Sequence, residues 1–369
     1  MYRFILVDVV SPNIRKEEAE KNLAELRSLV DTFGGATVVK IIQRRATPDN
    51  HTYVGAGKAE ELVNIVKEEK IDVVVLNSIV KPGQLFNLQK MLWEINPHIQ
   101  VWDRVDLIIN IFDKHAHSAE AKLQIKLARM RHMGPRIFGM GMIMSRQGGG
   151  IGTRGLGETN TELMKRHWRN EIKKVQEQIA RHQREREQQM LRRKELGFKT
   201  ISIVGYTNAG KTTLFNRLTK KKKKAADELF ATLDSNVGNL WMESERKGLL
   251  VSDTIGFIQN LPANLVDAFK STLMESINTD LLLHVIDASD PEMHIKIAVV
   301  EHILEELGIA DKEKMYVFNK IDMLTKTEIL NMMEQFKKYN PQFVSASENI
   351  GFKELYEAIE AAFHLKQSV

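Results

Sequence analysis

The sequence predicts an α/β protein in three parts. These are a small α/β domain over residues 1–103, a long antiparallel helical pair over 104–198, and a doubly wound α/β domain over 199–369. Three observations carry the prediction. Short aliphatic runs alternate with helix-period runs at both ends of the chain, and that alternation implies parallel sheets with crossover helices. Thr159 to Leu196 holds neither proline nor glycine and reads as one helix. Short signatures follow several strands of the last part, where ligands bind in open α/β sheets.

In the first part the strands are expected at Phe4–Val10, Ala36–Gln43, Ile71–Leu76 and His98–Trp102. Helices are expected at Arg15–Phe33, Lys58–Lys70 and Pro82–Ile95. The apolar start of the chain is interrupted by Asp8 and has no small-residue cleavage site, so it reads as a first strand and not a signal peptide.

The middle part begins with helical runs at Asp106–Phe112 and Ala119–His132, which Gly134-Pro135 is expected to stop. A glycine-dense stretch follows, from Gly139 to Gly157. Along the next helix, Met164, Trp168, Ile172, Val175 and Ile179 trace one apolar stripe. Leu123, Leu127 and Met130 form a matching stripe on the earlier helix, so the two should pair antiparallel with the glycine loop at their tip.

In the last part, strands are expected at Thr200–Val204, Gly238–Glu243, Leu249–Ser252, Leu281–Ile286, Met315–Phe318 and Gln342–Val344. The helices are Lys211–Thr219, Leu265–Ile277, Met293–Leu307, Thr327–Tyr339 and Phe352–His364.

Composition narrows the class. Of 369 residues, 43% are hydrophobic and 27% charged, the profile of an ordinary soluble globular protein. No apolar run is long enough to span a bilayer, so no membrane anchor is expected. The absence of cysteine excludes disulfides and thiolate metal sites and agrees with a cytoplasmic address. Net charge is +5, and residues 121–198 concentrate the excess, with 18 Lys and Arg against 7 Asp and Glu. Two readings stand: a polyanionic partner such as nucleic acid, or a solvated helix face.

Five signatures occur in order in the last part. Gly205-Tyr206-Thr207-Asn208-Ala209-Gly210-Lys211-Thr212 joins a strand to a helix, the setting of a phosphate loop. Its backbone N–H groups and the helix N-terminus can wrap a β-phosphate. Asn208, Ala209, Gly210, Lys211, Thr212 and Thr213 are the expected cradle. Lys211 should reach the β- and γ-phosphates, and Thr212 should give its hydroxyl to Mg²⁺. Asp253-Thr254-Ile255-Gly256 follows another strand. There Asp253 can hold Mg²⁺ through water, and Gly256 can bring a backbone N–H to the γ-phosphate. Thr232 lies between these two, and its hydroxyl and carbonyl can close over Mg²⁺ and the γ-phosphate. Phe230, just before it, is assigned to the same ligand. Lys211, Thr232 and Gly256 are the expected catalytic contacts, and Thr212, Thr232 and Asp253 the metal ligands. Lys220–Lys224 is either a solvated charge run or a phosphate-backbone contact.

Two further signatures read a base. In Asn319-Lys320-Ile321-Asp322 the carboxylate of Asp322 can accept from the N1–H and exocyclic amine of guanine, donors that adenine lacks. Lys320 can lie along the base plane. In Ser345-Ala346-Ser347 the Ala346 N–H can donate to the guanine O6. Together the five define a P-loop GTPase domain with GTP or GDP and Mg²⁺ as ligands. Phe257 stands where many GTPases place a glutamine to orient the attacking water, so a slow intrinsic rate or a stimulating partner is expected.

Several stretches together resemble the HflX family of translation-factor-class GTPases. They are Pro48 to Lys58, Asp103-Arg104 with Ile108 to Phe112, Leu123 to Ala128, and above all Ser145-Arg146-Gln147-Gly148-Gly149-Gly150-Ile151-Gly152-Thr153-Arg154-Gly155-Leu156-Gly157-Glu158. The resemblance covers essentially the whole chain; the sequence ends soon after the helix Phe352–His364, whereas some members carry a further C-terminal domain, so a function specific to that extension is not expected here. It implies binding to the large ribosomal subunit and ribosomal RNA, and in some members splitting or rescue of ribosomes; the chain itself is expected to be a monomer. Arg146 and Arg154 are the expected RNA contacts, with a plain hinge as the other reading of the glycine loop. Some members bind ATP through the N-terminal domain, and Gly55-Ala56-Gly57-Lys58 is either a trace of that or a structural turn. The alternative function is a GTP-gated RNA-binding or ribosome-assembly module in which hydrolysis only times release.

Overall fold

The computed structural model describes residues 1–147, 160–221, 230, 236–242, 245–254, 256–259, 265 and 274–364. They divide into two compact units, residues 1–114 with 122–180 and residues 115–121 with 181–369.

The first unit starts with β1 (Arg3–Val10), α1 (Lys16–Phe33), β2 (Ala36–Arg44), α2 (Ala56–Glu68), β3 (Val73–Leu76), α3 (Pro82–Trp93), β4 (Gln100–Asp103) and α4 (Arg104–His115). The strands pair in the order β2-β1-β3-β4, all parallel. Both faces of β1 and β3 are buried, which explains why they read as unbroken aliphatic runs and not as alternating ones. On one face Ile5, Val7, Val74 and Leu76 pack with Leu62 of α2 and Leu88 of α3. On the other, Phe4, Phe33 and Trp102 meet edge to face.

Two long helices follow, α5 (Ala119–Gln147) and α6 (Asn160–Glu195). Leu127, Met130, Val175 and Ile179 form their seam, with Leu123, Trp168 and Ile172 against it. Met164, predicted for that stripe, is exposed instead. The antiparallel sense is evident from Trp168 bonding Met130, and from Arg186 pairing with Glu120 at 2.9 Å.

One expectation fails. Gly134-Pro135 does not stop the first arm; α5 carries Pro135 inside it and runs on to Gln147. An interior proline removes a backbone bond and costs about 3 kcal/mol. Local contacts offset it here. A Cβ on Gly134 would lie only 3.0 Å from Trp168 Nε1, so glycine permits the indole to approach. The indole then donates to the Met130 carbonyl at 3.1 Å. Arg136 on the next turn donates to Asp103 at 2.5 Å and to Asp106 at 2.6 Å. His132 joins the same group, 3.1 Å from Asp103. Two carboxylates and an imidazole here could hold a metal, but the Arg136 guanidinium already bonds both carboxylates.

The second unit continues with β5 (Lys199–Gly205), α7 (Lys211–Thr219), β6 (Asn236–Met242), β7 (Glu245–Asp253), α8 (Met274–Ile277), β8 (Leu281–Asp287), α9 (Met293–Glu306), β9 (Lys314–Asn319), α10 (Lys326–Gln335), β10 (Gln342–Phe343) and α11 (Phe352–His364). Strand order is β10-β9-β8-β5-β7-β6, parallel except for β6 against β7. From β5 the chain first builds β6 and β7 on one side and then β8, β9 and β10 on the other. The C-terminal end of β5 is therefore the crevice where such sheets bind ligands. Leu214, Phe215 and Leu218 of α7 pack with Leu355, Ile359 and Phe363 of α11 on one face. Met293 and Ile297 of α9, Met332 of α10 and Phe336 just after it cover Ile286 and Phe318 on the other.

Of the predicted helix Leu265–Ile277, only Leu265 and α8 are described. The predicted helix Thr327–Tyr339 ends at Gln335, and a 3-10 turn takes Lys337–Tyr339. Its start is capped by Thr325, which accepts from Glu328 N–H while the Glu328 carboxylate accepts from Thr325 N–H.

Candidate functional site

The loop between β5 and α7 turns on two left-handed residues, Asn208 (φ 62°) and Gly210 (φ 88°). Gly210 caps the start of α7, and a Cβ there would strike the Asn319 amide at 2.2 Å, so only glycine fits. Lys211 opens the helix with Thr212 and Thr213 behind it. Its side chain is buried and folds back over the loop, with Nζ 2.6 Å from the Tyr206 carbonyl. Burial pushes its ammonium down to about 8, against the pull of the Asp253 carboxylate. A buried cation at a helix N-terminus is suited to an anionic ligand.

Asp253, fully buried at the end of β7, accepts from the Thr212 hydroxyl at 2.9 Å. A hydroxyl and a carboxylate so placed beside a phosphate loop are hard oxygen donors, and they fit Mg²⁺. Gly256 follows against Lys211 and Thr207. Phe257 is 2% exposed; its ring belongs to the core and its backbone pairs with the phosphate loop. Phe230 is buried with φ 60°. Thr232 and Arg154 lie outside the described residues, as does the side chain of Arg146 in the last turn of α5.

The base-reading signatures meet the phosphate loop through Asn319. Its amide donates to the Ala209 carbonyl at 2.9 Å, and its side-chain oxygen accepts from Ala346 N–H at 3.0 Å. Lys320 is left-handed (φ 67°), which aims its side chain back at Asp287, 2.7 Å away. Asp322 sits in a 3-10 turn and accepts from the Ser345 hydroxyl at 2.5 Å. The Ser345 and Ser347 hydroxyls lie 3.1 Å apart. The four elements thus converge at the C-terminal ends of β5, β7 and β9 and just past β10.

Three participants escaped sequence reasoning. Asp287 ends β8 as Asp253 ends β7, a carboxylate at a strand end that could have been noticed. Arg217 donates to the Ala346 and Ser347 carbonyls at 3.2 and 2.6 Å, tying α7 to the base-reading loop. Tyr206 accepts from Gln259 N–H through its hydroxyl. No local pattern marks these last two.

Comparison with known proteins gives the same arrangement in the same order. Family models described as GTP-binding GTPase N-terminal, GTP-binding GTPase middle region and 50S ribosome-binding GTPase match residues 20–113, 115–193 and 200–320. GTPase HflX of Caldanaerobacter subterraneus subsp. tengcongensis is 41% identical over 97% of this chain and 80% of its own. The Escherichia coli K12 protein of that name is 39% identical over 92% of this chain and 78% of its own. The Methanocaldococcus jannaschii protein is 33% identical over 92% and 82%. Among solved structures, SsGBP in complex with GDP aligns over 99% of both chains with TM-score 0.54 and 26% identity. With a phosphate loop, the Asn319–Asp322 and Ser345–Ser347 signatures brought to it through Asn319, and these relatives along nearly its whole length, the chain belongs to the HflX family of GTPases.

Proposed function

We propose that this chain hydrolyses GTP while bound to the large ribosomal subunit, and that the nucleotide state controls ribosome splitting or rescue. The observation that carries the nucleotide part is the Asn319 bridge, which sets a phosphate cradle and a base-reading loop at the two ends of one ligand. The ribosomal part is supported by the match of residues 200–320 to the 50S ribosome-binding GTPase model. A basic middle segment fits an RNA partner, with Arg146 and Arg154 as contacts. We retain the division into residues 1–103, 104–198 and 199–369 and read the chain as a cytoplasmic monomer.

In this reading Asn208 to Thr213 cradle the β-phosphate, while Lys211, Thr232 and Gly256 gather the γ-phosphate. Thr212, Thr232 and Asp253 would hold Mg²⁺, which when bound neutralises phosphate charge. Asp322 accepts from the guanine donors, Ala346 N–H, held here by Asn319, is shared with O6 once the base is bound, Lys320 lies along the base plane, and Phe230 contacts the same nucleotide. Ser345 and Ser347 orient the Asp322 loop. Phe257 offers no polar group and is buried, so water is poorly oriented and hydrolysis is slow until a partner completes the site.

The test is single-turnover GTP hydrolysis with and without large subunits, alongside sucrose gradients of whole ribosomes. Stimulation together with GTP-dependent release of free subunits supports the proposal. Co-sedimentation with no change in the subunit ratio favours the RNA-binding module instead. Equal rates with and without particles refute subunit-stimulated hydrolysis.

A further inference from the structure

Phe257 extends the β5–β7 pairing beyond both strands. Its N–H donates to the Gly205 carbonyl at 3.1 Å, and its carbonyl accepts from Thr207 N–H at 2.7 Å. Two residues on, Gln259 N–H donates to the Tyr206 hydroxyl at 2.8 Å. The Tyr206 ring is 7% exposed, and the Lys296 ammonium lies over it 5.1 Å from its centroid, itself paired with Asp290. The hydroxyl is therefore held in place, and the segment after Asp253 is tied to the phosphate loop at three points.

The tie leaves little space. A Cβ built on Gly256 would lie 2.8 Å from Lys211 Nζ and 2.9 Å from Thr207 Cα. A γ-phosphate held by both Lys211 and Gly256 has to enter between them, with an oxygen about 2.7–3.2 Å from each donor. In the tied form the space between Gly256 and Lys211 is narrow for a γ-phosphate, whereas a diphosphate makes no demand on it. The Thr207 hydroxyl is buried without a partner in the tied form, which penalises it. The structure holds the tied form, so each bond that ties it weighs against an open one.

We propose that the Tyr206 hydroxyl is a positioning group that sets the preference between GDP and GTP by holding the Gly256 segment closed. The inference rests on the guanine-nucleotide reading of the site. If the triphosphate binds only the open form, its apparent affinity scales with the open fraction, while that of GDP does not.

Tyr206→Phe keeps the ring and the Lys296 contact and removes the bond to Gln259. On the full chain, dissociation constants are measured for labelled GDP and for a labelled non-hydrolysable GTP analogue on one preparation. The analogue should bind about five-fold tighter, the equivalent of ~1 kcal/mol for one neutral hydrogen bond, with GDP changed less than two-fold. Gln259→Pro removes the donor from the other side, and its effect should not add to the first. An unchanged ratio, or one shifted toward GDP, overturns the proposal. Failure of the unaltered protein to bind either nucleotide would instead refute the site reading on which it stands.

Discussion

Replacing Asn319 with alanine should separate the two halves of the nucleotide site. Asn319 is 2% exposed and makes two bonds, one to the Ala209 carbonyl and one from Ala346 N–H. Alanine leaves both backbone groups buried without this partner, at about 1–3 kcal/mol each, so about 2–6 kcal/mol in total. The bound ligand must then keep the two loops in register itself. If about 2 kcal/mol of this cost falls on holding the loops in register for the ligand, GDP affinity drops roughly 30-fold, and the rest appears as lost stability. Asn319→Asp keeps the acceptor for Ala346 but sets a carboxylate oxygen against the Ala209 carbonyl, and should do no better. The assay is titration of labelled GDP, with chemical denaturation in its presence and absence. A GDP affinity within two-fold of the unaltered protein, with denaturation unshifted, would refute the bridging role.

Other expectations follow from the same contacts. Lys211 is held down to about 8 by burial, and phosphate favours its charged form, so GDP affinity should weaken above pH 8 by up to about tenfold per unit. A flat profile to pH 9.5 would remove Lys211 from phosphate contact. Burial acts to lower His132, but Asp103 and Asp106 outweigh it and raise it to about 9. Its folded value exceeds its unfolded one, so the stabilisation is complete below pH 6.5 and is lost as pH rises through 9. Arg136, 2.7 Å from the same ring nitrogen, trims the gain to about 1–3 kcal/mol. Denaturation of the unaltered protein should show this loss between pH 6.5 and 9, and His132→Gln should not. Asp287→Ala frees Lys320 and should weaken GDP binding about three- to tenfold, as expected for a partly exposed ion pair that orients a ligand contact. No change would mean Lys320 finds its place unaided.

The sheets were readable because buried parallel strands carry continuous aliphatic runs, as in Val73–Leu76 and Leu281–Asp287. The phosphate loop was readable because its glycines answer to geometry: Gly210 must be left-handed and must clear Asn319. What escaped is what depends on distant partners. Pro135 looked like a stop because nothing nearby in sequence announces Trp168 across the helix pair. Arg217 and Tyr206 look like ordinary helix and loop residues until the fold brings Ser347 and Gln259 to them. The bridging role of Asn319 was hidden likewise, because its two partners are far away along the chain.

The proposed base discrimination by Asp322 is what would make this a site for guanine nucleotides. Competition of GDP, ADP and XDP for the unaltered protein and for Asp322→Asn tests it most directly. The unaltered chain should prefer GDP to ADP by about a hundredfold or more, because adenine would leave a carboxylate without its donors. The variant should turn toward XDP. Equal affinity for GDP and ADP in the unaltered chain, or undiminished GDP preference in the variant, would contradict the account.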